Sequence, residues 1–284
     1  MKPAPFKYYA PILVDEAVGL LAEYGPQDGR VIAGGQSLIP TMAFRMARPS
    51  FLVDINGIAE LAKIDIGPEV LRIPACVRHA TFQGDAVHGP TGALLRKVVH
   101  YIAHYPIRVR GTFCGSVANA DPASEWCCTT VALDGTIIAR SARGTRRILA
   151  KDFYKGVMTT DLREDELITG VELPLLKEGT RVGFSEFSRR AGDFAIVMVL
   201  AAYRLQNGCI FEPRISIGGA EAVPRRISDA ESALLGREIS ASSFERAAKI
   251  AAEVVQPFND NNNTIDFRRS LVRTLTRRAL ESAA

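Results

Sequence analysis

Apolar residues recur at helix and strand spacings along this chain, and the pattern changes twice. At the start, residues 15–24 repeat apolar side chains on one helix face, with Asp15 at the N-cap position and Gly25-Pro26 at the end. A strand, a short helix and a second strand are then predicted at 30–32, 38–47 and 51–55. Together they predict a compact α/β unit in residues 1–55.

The middle of the chain has shorter segments and predicts an α+β unit in residues 56–177. The predicted strands are 70–73, 136–139, 146–149 and 167–173, and the predicted helices are 79–85 and 93–104. A third helix should open at Asp121-Pro122, with Asp121 as N-cap and Glu125 in the first turn. Ala142-Arg143-Gly144 is typical of a hairpin turn between two of the strands.

The last third of the chain places strands before helices. Strands are predicted at 184–187, 195–205 and 210–217, and helices at 228–235, 242–255 and 267–281. Asn207-Gly208 between two of the strands predicts a tight hairpin. This order predicts a separate α+β domain in residues 178–284, built on a three-stranded antiparallel sheet.

Two glycine loops carry the candidate chemistry. The first glycine loop, residues 33–37, reads Ala-Gly-Gly-Gln-Ser and follows a predicted strand. The second glycine loop, residues 111–116, reads Gly-Thr-Phe-Cys-Gly-Ser. Glycines at such turns let successive amides face one anion, and a following helix adds the positive end of its dipole. Two such loops predict a diphosphate held from both sides, although Gly-Gly can also serve merely to turn the chain.

The loops match neither common nucleotide-binding pattern. No Gly-Lys-Ser/Thr follows the first loop, and Gly-x-Gly-x-x-Gly is missing. A dinucleotide would therefore need a fold other than the Rossmann fold.

Composition narrows the function classes. The 284 residues carry a net charge of +4, too small and dispersed to predict nucleic-acid binding. No apolar run approaches the roughly 20 residues that span a bilayer, and the N-terminus lacks the apolar core of a secretory signal. The basic stretch from Arg268 to Arg278 is interpreted as a solvated helix face or an interface rim.

Cysteines and histidines predict no metal site. The five cysteines, Cys76, Cys114, Cys127, Cys128 and Cys209, form neither a disulfide framework nor a Cys-x-x-Cys site. They favour a reducing cytoplasm and offer no set of thiolates for an iron–sulfur cluster. His100 and His104 lie four residues apart but lack the glutamate of a zinc-protease motif.

Six collinear segments resemble one family. The two extended loop segments, 31–40 and 107–116, resemble the paired signatures of the medium, FAD-binding subunit of molybdenum hydroxylases, the xanthine dehydrogenase and carbon monoxide dehydrogenase family. The other similar segments are 120–125, 165–168, 189–197 and the terminal Arg277-Arg278-Ala279-Leu280. Their order and spacing fit across nearly the whole chain.

The resemblance implies a fold and a cofactor site. The fold would be a two-part, PCMH-type FAD-binding unit, which is not a Rossmann fold, followed by the C-terminal α+β domain. FAD would lie between the first two units, with its diphosphate between the glycine loops. Carried over by position, the cofactor-binding residues are Ile32, Ala33, Gly34, Gly35, Gln36, Ser37, Leu38, Ile102, Gly111, Thr112, Cys114, Gly115, Ser116, Glu125, Ile168, Asp193 and Phe194.

Individual roles follow from the same resemblance. Ile102 would pack on the adenine, Glu125 would face the adenosine part, and Ile168 would lie near it. Asp193-Phe194 would reach the isoalloxazine from the C-terminal domain.

The resemblance also implies an electron-transfer role without catalytic residues in this chain. Electrons would arrive from the iron–sulfur clusters of a small partner subunit and leave through FAD to an external acceptor. A large partner subunit would carry molybdopterin, and the resemblance implies that the three subunits assemble as a dimer of heterotrimers. Two alternatives stay open: a stand-alone FAD-dependent oxidase or reductase, and a non-enzymatic assembly scaffold with weakened flavin binding.

Cys114 motivates the scaffold alternative. The family usually has Thr-Ile-Gly-Gly where this chain has Thr112-Phe113-Cys114-Gly115. A side chain on left-handed backbone costs about 1 kcal/mol, and its sulfur would stand where backbone approaches phosphate. We therefore expect FAD to be retained but bound more weakly or shifted. A thiol near a helix start is also a candidate redox or covalent-flavin group, against simple tolerated substitution.

Overall fold

The computed structural model describes residues 2–260 and 262–284, and its first sheet is parallel. The strand order is β1-β3-β2, with β1 (Lys7–Tyr9), β2 (Gly29–Ile32) and β3 (Phe51–Asp54). The connecting helices are α1 (Val14–Tyr24) and α2 (Leu38–Ala43). The predicted strand–helix–strand order is confirmed, and α2 is shorter than expected.

Helix α1 begins before its predicted cap. Leu13 is the N-cap residue, so Asp15 lies inside the first turn and the predicted Asp15 cap is wrong. The helix extends to Val14 because this residue joins the buried apolar face. Glu16 reaches back instead, and its Oε2 accepts a hydrogen bond from the Ile12 N–H at 3.1 Å.

The second sheet is antiparallel and has the order β4-β5-β10-β6-β7. Its strands are β4 (Asp65–Ile66), β5 (Val70–Pro74), β6 (Thr136–Ser141), β7 (Gly144–Leu149) and β10 (Leu167–Pro174). Between β7 and β10 in sequence, β8 (Tyr154–Gly156) and β9 (Thr159–Thr160) form a separate two-stranded sheet. Ser141 pairs with Gly144, which confirms the predicted hairpin.

The helices of this region are α3 (Gly89–Val99), α4 (Tyr105–Arg108), α5 (Phe113–Asn119), α6 (Glu125–Ala132) and α7 (Ala150–Phe153), and a 3₁₀ turn spans His79–Gln83. The helix predicted at 93–104 thus begins and ends earlier than expected. Helix α6 also begins later than predicted, with Ser124 rather than Asp121 as N-cap. The Asp121 Oδ1 accepts from the Ala123 N–H at 2.9 Å, so Asp121 closes a local turn instead.

The third sheet follows the prediction with one addition. Its order is β11-β12-β13-β14, with β11 (Arg181–Phe187), β12 (Val197–Gln206), β13 (Cys209–Gly218) and β14 (Arg225–Arg226). Asn207 and Gly208 have φ of 52° and 78°, as a tight hairpin turn requires. The three predicted strands are therefore present, and the two-residue β14 makes the antiparallel sheet four-stranded.

Three helices complete the C-terminal region: α8 (Ser228–Leu234), α9 (Ala241–Val254) and α10 (Ile265–Ala283). The basic stretch on α10 is not uniformly solvated. Arg273 and Arg277 pair with Glu245 at the surface, but Arg268 is only 4% exposed. The predicted solvated face is therefore wrong for Arg268.

Strand β12 links two apolar cores. Its residues Met198, Leu200 and Ala202 face a core shared with the first two sheets, whereas Val199 and Tyr203 face a core with α9 and α10. Alternate side chains of a strand point to opposite faces, so one strand can serve both cores. Through β12, the C-terminal region therefore shares an apolar core with the first two sheets.

Among the described residues, no helix combines the length and apolar character that crossing a bilayer requires.

Candidate cofactor site between two glycine loops

The first glycine loop joins β2 to α2 and presents unused amides. Gly35 has φ of 69°, a conformation that glycine adopts without strain. Within residues 2–260 and 262–284, no acceptor takes a hydrogen bond from the N–H groups of residues 34–37. Gln36 stabilises the turn, since its Nε2 donates to the Gly34 carbonyl at 2.9 Å. The loop therefore offers backbone donors that an anion could accept.

The second glycine loop is hydrogen-bonded to residues 77–79, where the 3₁₀ turn begins. The His79 N–H donates to the Gly111 carbonyl and the Phe113 N–H donates to the Val77 carbonyl, each at 3.0 Å. Thr112 caps α5, with its Oγ1 accepting from the Gly115 N–H at 3.0 Å. These bonds fix the loop at the start of α5.

The two loops meet backbone to backbone. A Cβ built on Gly34 would lie 2.5 Å from the Arg110 carbonyl oxygen and 2.6 Å from the Gly111 Cα. Only glycine permits this approach. The structure thus brings together the two loops that are about 75 residues apart in sequence.

The side chain of Cys114 points away from the space between the glycine loops and into the core. It lies in the first turn of α5 with no left-handed backbone, and its thiol donates to the Ile73 carbonyl at 3.3 Å. The expected strain and steric conflict at Cys114 are therefore wrong, because the sulfur points into the core. Burial also raises the pKa of this thiol far above its usual value, which disfavours a reactive thiolate.

A buried histidine supports the second loop. The Trp126 Nε1 donates to the His79 Nδ1 at 2.9 Å. The opposite edge of the His79 ring, which carries Nε2, lies against Gly111. Burial, with the charges of Arg78 and Arg108, lowers the pKa of His79 to about 4. His79 is consequently neutral at physiological pH.

This neutral histidine predicts a pH effect on folding. The unfolded chain binds a proton at the usual pKa of 6.5 and the folded chain only near 4, so stability should fall as pH decreases between these values. The slope should reach ~1.4 kcal/mol per pH unit. Urea unfolding from pH 6.5 to 4.5 should show a flatter pH dependence in His79→Gln than in wild type. Equal slopes would contradict a neutral buried His79.

The remaining predicted residues occupy separate places. Ile102 follows α3 and Ile168 lies on β10, both with buried side chains. Glu125 begins α6 and is also buried. Burial and the charge of Asp121 raise the pKa of Glu125 to about 7. Asp193 and Phe194 lie on the exposed segment between β11 and β12, and Phe194 is 74% exposed.

The segment 188–196 borders a cleft and touches the middle of the chain. The cleft measures about 400 Å³ and is lined by Arg189, Gly192, Asp193, Phe194 and Ile196. Gly192 has φ of 82°, and a Cβ there would lie 2.6 Å from the His104 ring. His104 therefore packs on this segment, while the His100 Nδ1 lies 2.6 Å from the Arg96 carbonyl oxygen.

Arg268 anchors the end of the same segment. Its Nη1 donates to the carbonyls of Ile196 at 2.8 Å and Gly219 at 2.6 Å, and its Nη2 pairs with Asp260 at 2.5 Å. The guanidinium also lies 4.2 Å from the centroid of the Phe258 ring. The buried charge is compensated by these partners.

Sequence reasoning missed several residues at the site: Asn56, Arg78, His79, Glu186 and Arg268. A signal existed for Asn56, because it follows β3, and the ends of neighbouring parallel strands lie at one edge of a sheet. Glu186 lies on β11, and burial with the charge of Glu125 raises its pKa to about 9. No local pattern marks Glu186, Arg78, His79 or Arg268.

Comparison with known proteins covers the chain from end to end. The family model described as the FAD binding domain in molybdopterin dehydrogenase matches residues 4–176, and that of the CO dehydrogenase flavoprotein C-terminal domain matches residues 183–283. The nicotine 6-hydroxylase medium subunit of Paenarthrobacter nicotinovorans is 34% identical over 283 residues, covering 100% of this chain and 99% of the relative.

Two solved structures share the fold. Carbon monoxide dehydrogenase from Hydrogenophaga pseudoflava gives a TM-score of 0.95 at 30% identity, and quinoline 2-oxidoreductase from Pseudomonas putida 86 gives 0.93 at 36%. Each comparison covers 100% of this chain and 98% of the matched chain.

Proposed function

The chain belongs to the FAD-binding medium subunits of the molybdenum hydroxylase family, and we propose that it holds FAD between its glycine loops as an electron-transfer subunit. One observation carries the site assignment: Gly34 meets the Arg110–Gly111 backbone while the amides of residues 34–37 stay unbonded within the described ranges. Unbonded amides and a helix start suit the two negative charges of a diphosphate.

The loop residues would bind the diphosphate from two sides. Ala33, Gly34, Gly35, Gln36 and Ser37 would face it from the first loop, with Ile32 and Leu38 holding the ends of that loop. Gly111, Thr112, Gly115 and Ser116 would face it from the second loop. Cys114 would contribute through its backbone alone, because its side chain lies in the core.

The other assignments complete the proposed site. Glu125 would face the adenosine part beside Ile102 and Ile168, and Asp193-Phe194 would reach the flavin. The exposure of Phe194 supports this, since a large apolar side chain open to solvent suits a planar ring system. The buried Glu125 carboxyl, with a pKa near 7, can hold a proton and donate a hydrogen bond.

Bound FAD accepts one or two electrons, which would connect single-electron iron–sulfur centres to an external acceptor. This chain would orient the cofactor and exclude water from its diphosphate. We assign it no catalytic acid, base or nucleophile. Molybdopterin and the iron–sulfur clusters would belong to a large and a small partner subunit, in a dimer of heterotrimers.

We further propose a cytoplasmic location and a division at residues 1–55, 56–177 and 178–284. All five cysteines are thiols and lie in the described ranges, which supports a reducing compartment. Each of the three larger sheets lies within one of these units. The hypothesis of a non-enzymatic scaffold rested on Cys114 weakening FAD binding. It is no longer supported, because the Cys114 side chain bonds the Ile73 carbonyl in the core.

The functional proposal is tested by isolating the chain with whatever binds it. Affinity purification from cells that express the whole complex should yield flavin absorption bands, a large molybdopterin-containing chain and a small cysteine-rich chain. Substrate turnover by this chain alone would instead support the stand-alone oxidase or reductase.

A further inference from the structure

Two linked side chains connect the glycine loops through hydrogen bonds to backbone carbonyl groups. The Asn56 Nδ2 donates to the Ala33 carbonyl at 2.7 Å, and the Arg78 Nη2 donates to the Asn56 Oδ1 at 2.6 Å. The Arg78 Nη1 donates to the Arg110 carbonyl, next to the second loop. Two side chains thus connect the first loop to the backbone that begins the second.

Asn56 is itself held in place by the first sheet. Its N–H and its Nδ2 both donate to the Asp54 Oδ1, at 2.9 and 2.6 Å. The other oxygen of Asp54 accepts from the Tyr8 hydroxyl at 2.6 Å. Asp54 ends β3 and Tyr8 lies on β1, so the amide of Asn56 has a fixed orientation on a regular element.

The bond to the Ala33 carbonyl also orients an amide. In a trans peptide the C=O and the following N–H point in opposite directions. Because Asn56 holds the Ala33 oxygen on one side, the Gly34 N–H is turned to the other side. The bond from Gln36 to the Gly34 carbonyl orients the Gly35 N–H in the same way. Hydrogen-bonded carbonyls are thereby kept from facing an anion.

We propose that Asn56 and Arg78 form a clamp that sets the spacing and the amide orientation of the two glycine loops for the diphosphate. They are positioning residues, since they act through the loop backbone. The clamp rests on the proposed FAD function. Its mechanism is pre-organisation: the donors are aligned before the ligand arrives, so less ordering opposes binding.

The clamp is tested by a double-mutant cycle on the full-length apo chain. The variants are Asn56→Ala, Arg78→Met and the double variant, with FAD affinity read from quenching of flavin fluorescence. Each single variant should weaken FAD binding about tenfold, and the double variant should be little worse than either, because one linked bridge is lost in all three. Arg78→Lys, which keeps the charge and can reach one partner, should recover part of the affinity.

Arg72→Met is the matched control. Arg72 lies on β5 and bonds Asp65 and Glu172, at 2.8 and 3.3 Å, in the second sheet rather than at the loops. It should leave FAD affinity unchanged, and the melting temperatures of the apo variants should not account for the ranking. Wild-type affinity in Arg78→Met, or losses that simply multiply in the double variant, would overturn the clamp. A wild-type chain that binds no FAD would refute the proposed function together with the clamp.

Discussion

Gly34→Ala should weaken FAD binding about 10- to 100-fold, the cost of inserting a methyl group into closely packed backbone. The new Cβ would lie 2.5 Å from the Arg110 carbonyl oxygen, and no flexible side chain is available to move aside. The strain can be relieved only by separating the two loops, which moves the amides of the first loop away from the second. Fluorescence titration of the apo chain with FAD measures the loss.

Gly19→Ala is the matched control for this prediction. Gly19 lies inside α1, and a Cβ there meets nothing within 4 Å. Alanine favours a helix interior over glycine by about 1 kcal/mol, so the control should fold at least as well as wild type and bind FAD equally. Undiminished FAD affinity in Gly34→Ala would show that the loops do not hold the cofactor jointly.

Arg268→Met should lower the free energy of unfolding by about 3 kcal/mol, as expected when one partner of a buried charged network is removed. The Ile196 and Gly219 carbonyls would lose their donor, and Asp260 would lose its cation. Ile196 ends the segment that carries Asp193 and Phe194, so the fixed base of that segment would be lost as well. Urea unfolding measures the effect.

Arg269→Met serves as the control, because Arg269 is the next residue on α10 and is exposed. It removes the same charge and should change stability by less than ~0.5 kcal/mol. Similar losses in the two variants would indicate that net charge, and not the buried network of Arg268, determines the effect.

Local signals predicted most of the fold. Asn207-Gly208 predicted the hairpin because its turn needs two successive residues with positive φ, a conformation that Asn-Gly adopts at little energetic cost. The two glycine loops were found because few other sequences let amides converge on an anion. Helix starts were predicted less well: Val14 and Glu125 begin their helices, although Asp15 and Asp121 are the stronger N-cap candidates. Burial of Val14 and the turn closed by Asp121 decided these positions.

Long-range contacts could not be predicted from the sequence. Cys114 was expected to obstruct the phosphate because the family usually has glycine at this position. Only the packing of α5 on β5 shows that its thiol faces the core. Arg268 resembled the solvated arginines that follow it, since nothing local indicates two distant carbonyl acceptors. The Asn56–Arg78 clamp likewise joins residues 22 positions apart.

The joint role of the glycine loops is tested most directly by crystallising the chain with FAD. We predict electron density for the diphosphate between residues 33–37 and 112–116, with the Gly34 and Gly35 amides directed towards the phosphate oxygens. The Cys114 sulfur should remain bonded to the Ile73 carbonyl. Diphosphate density that contacts one loop alone, or lies elsewhere on the chain, would contradict this account.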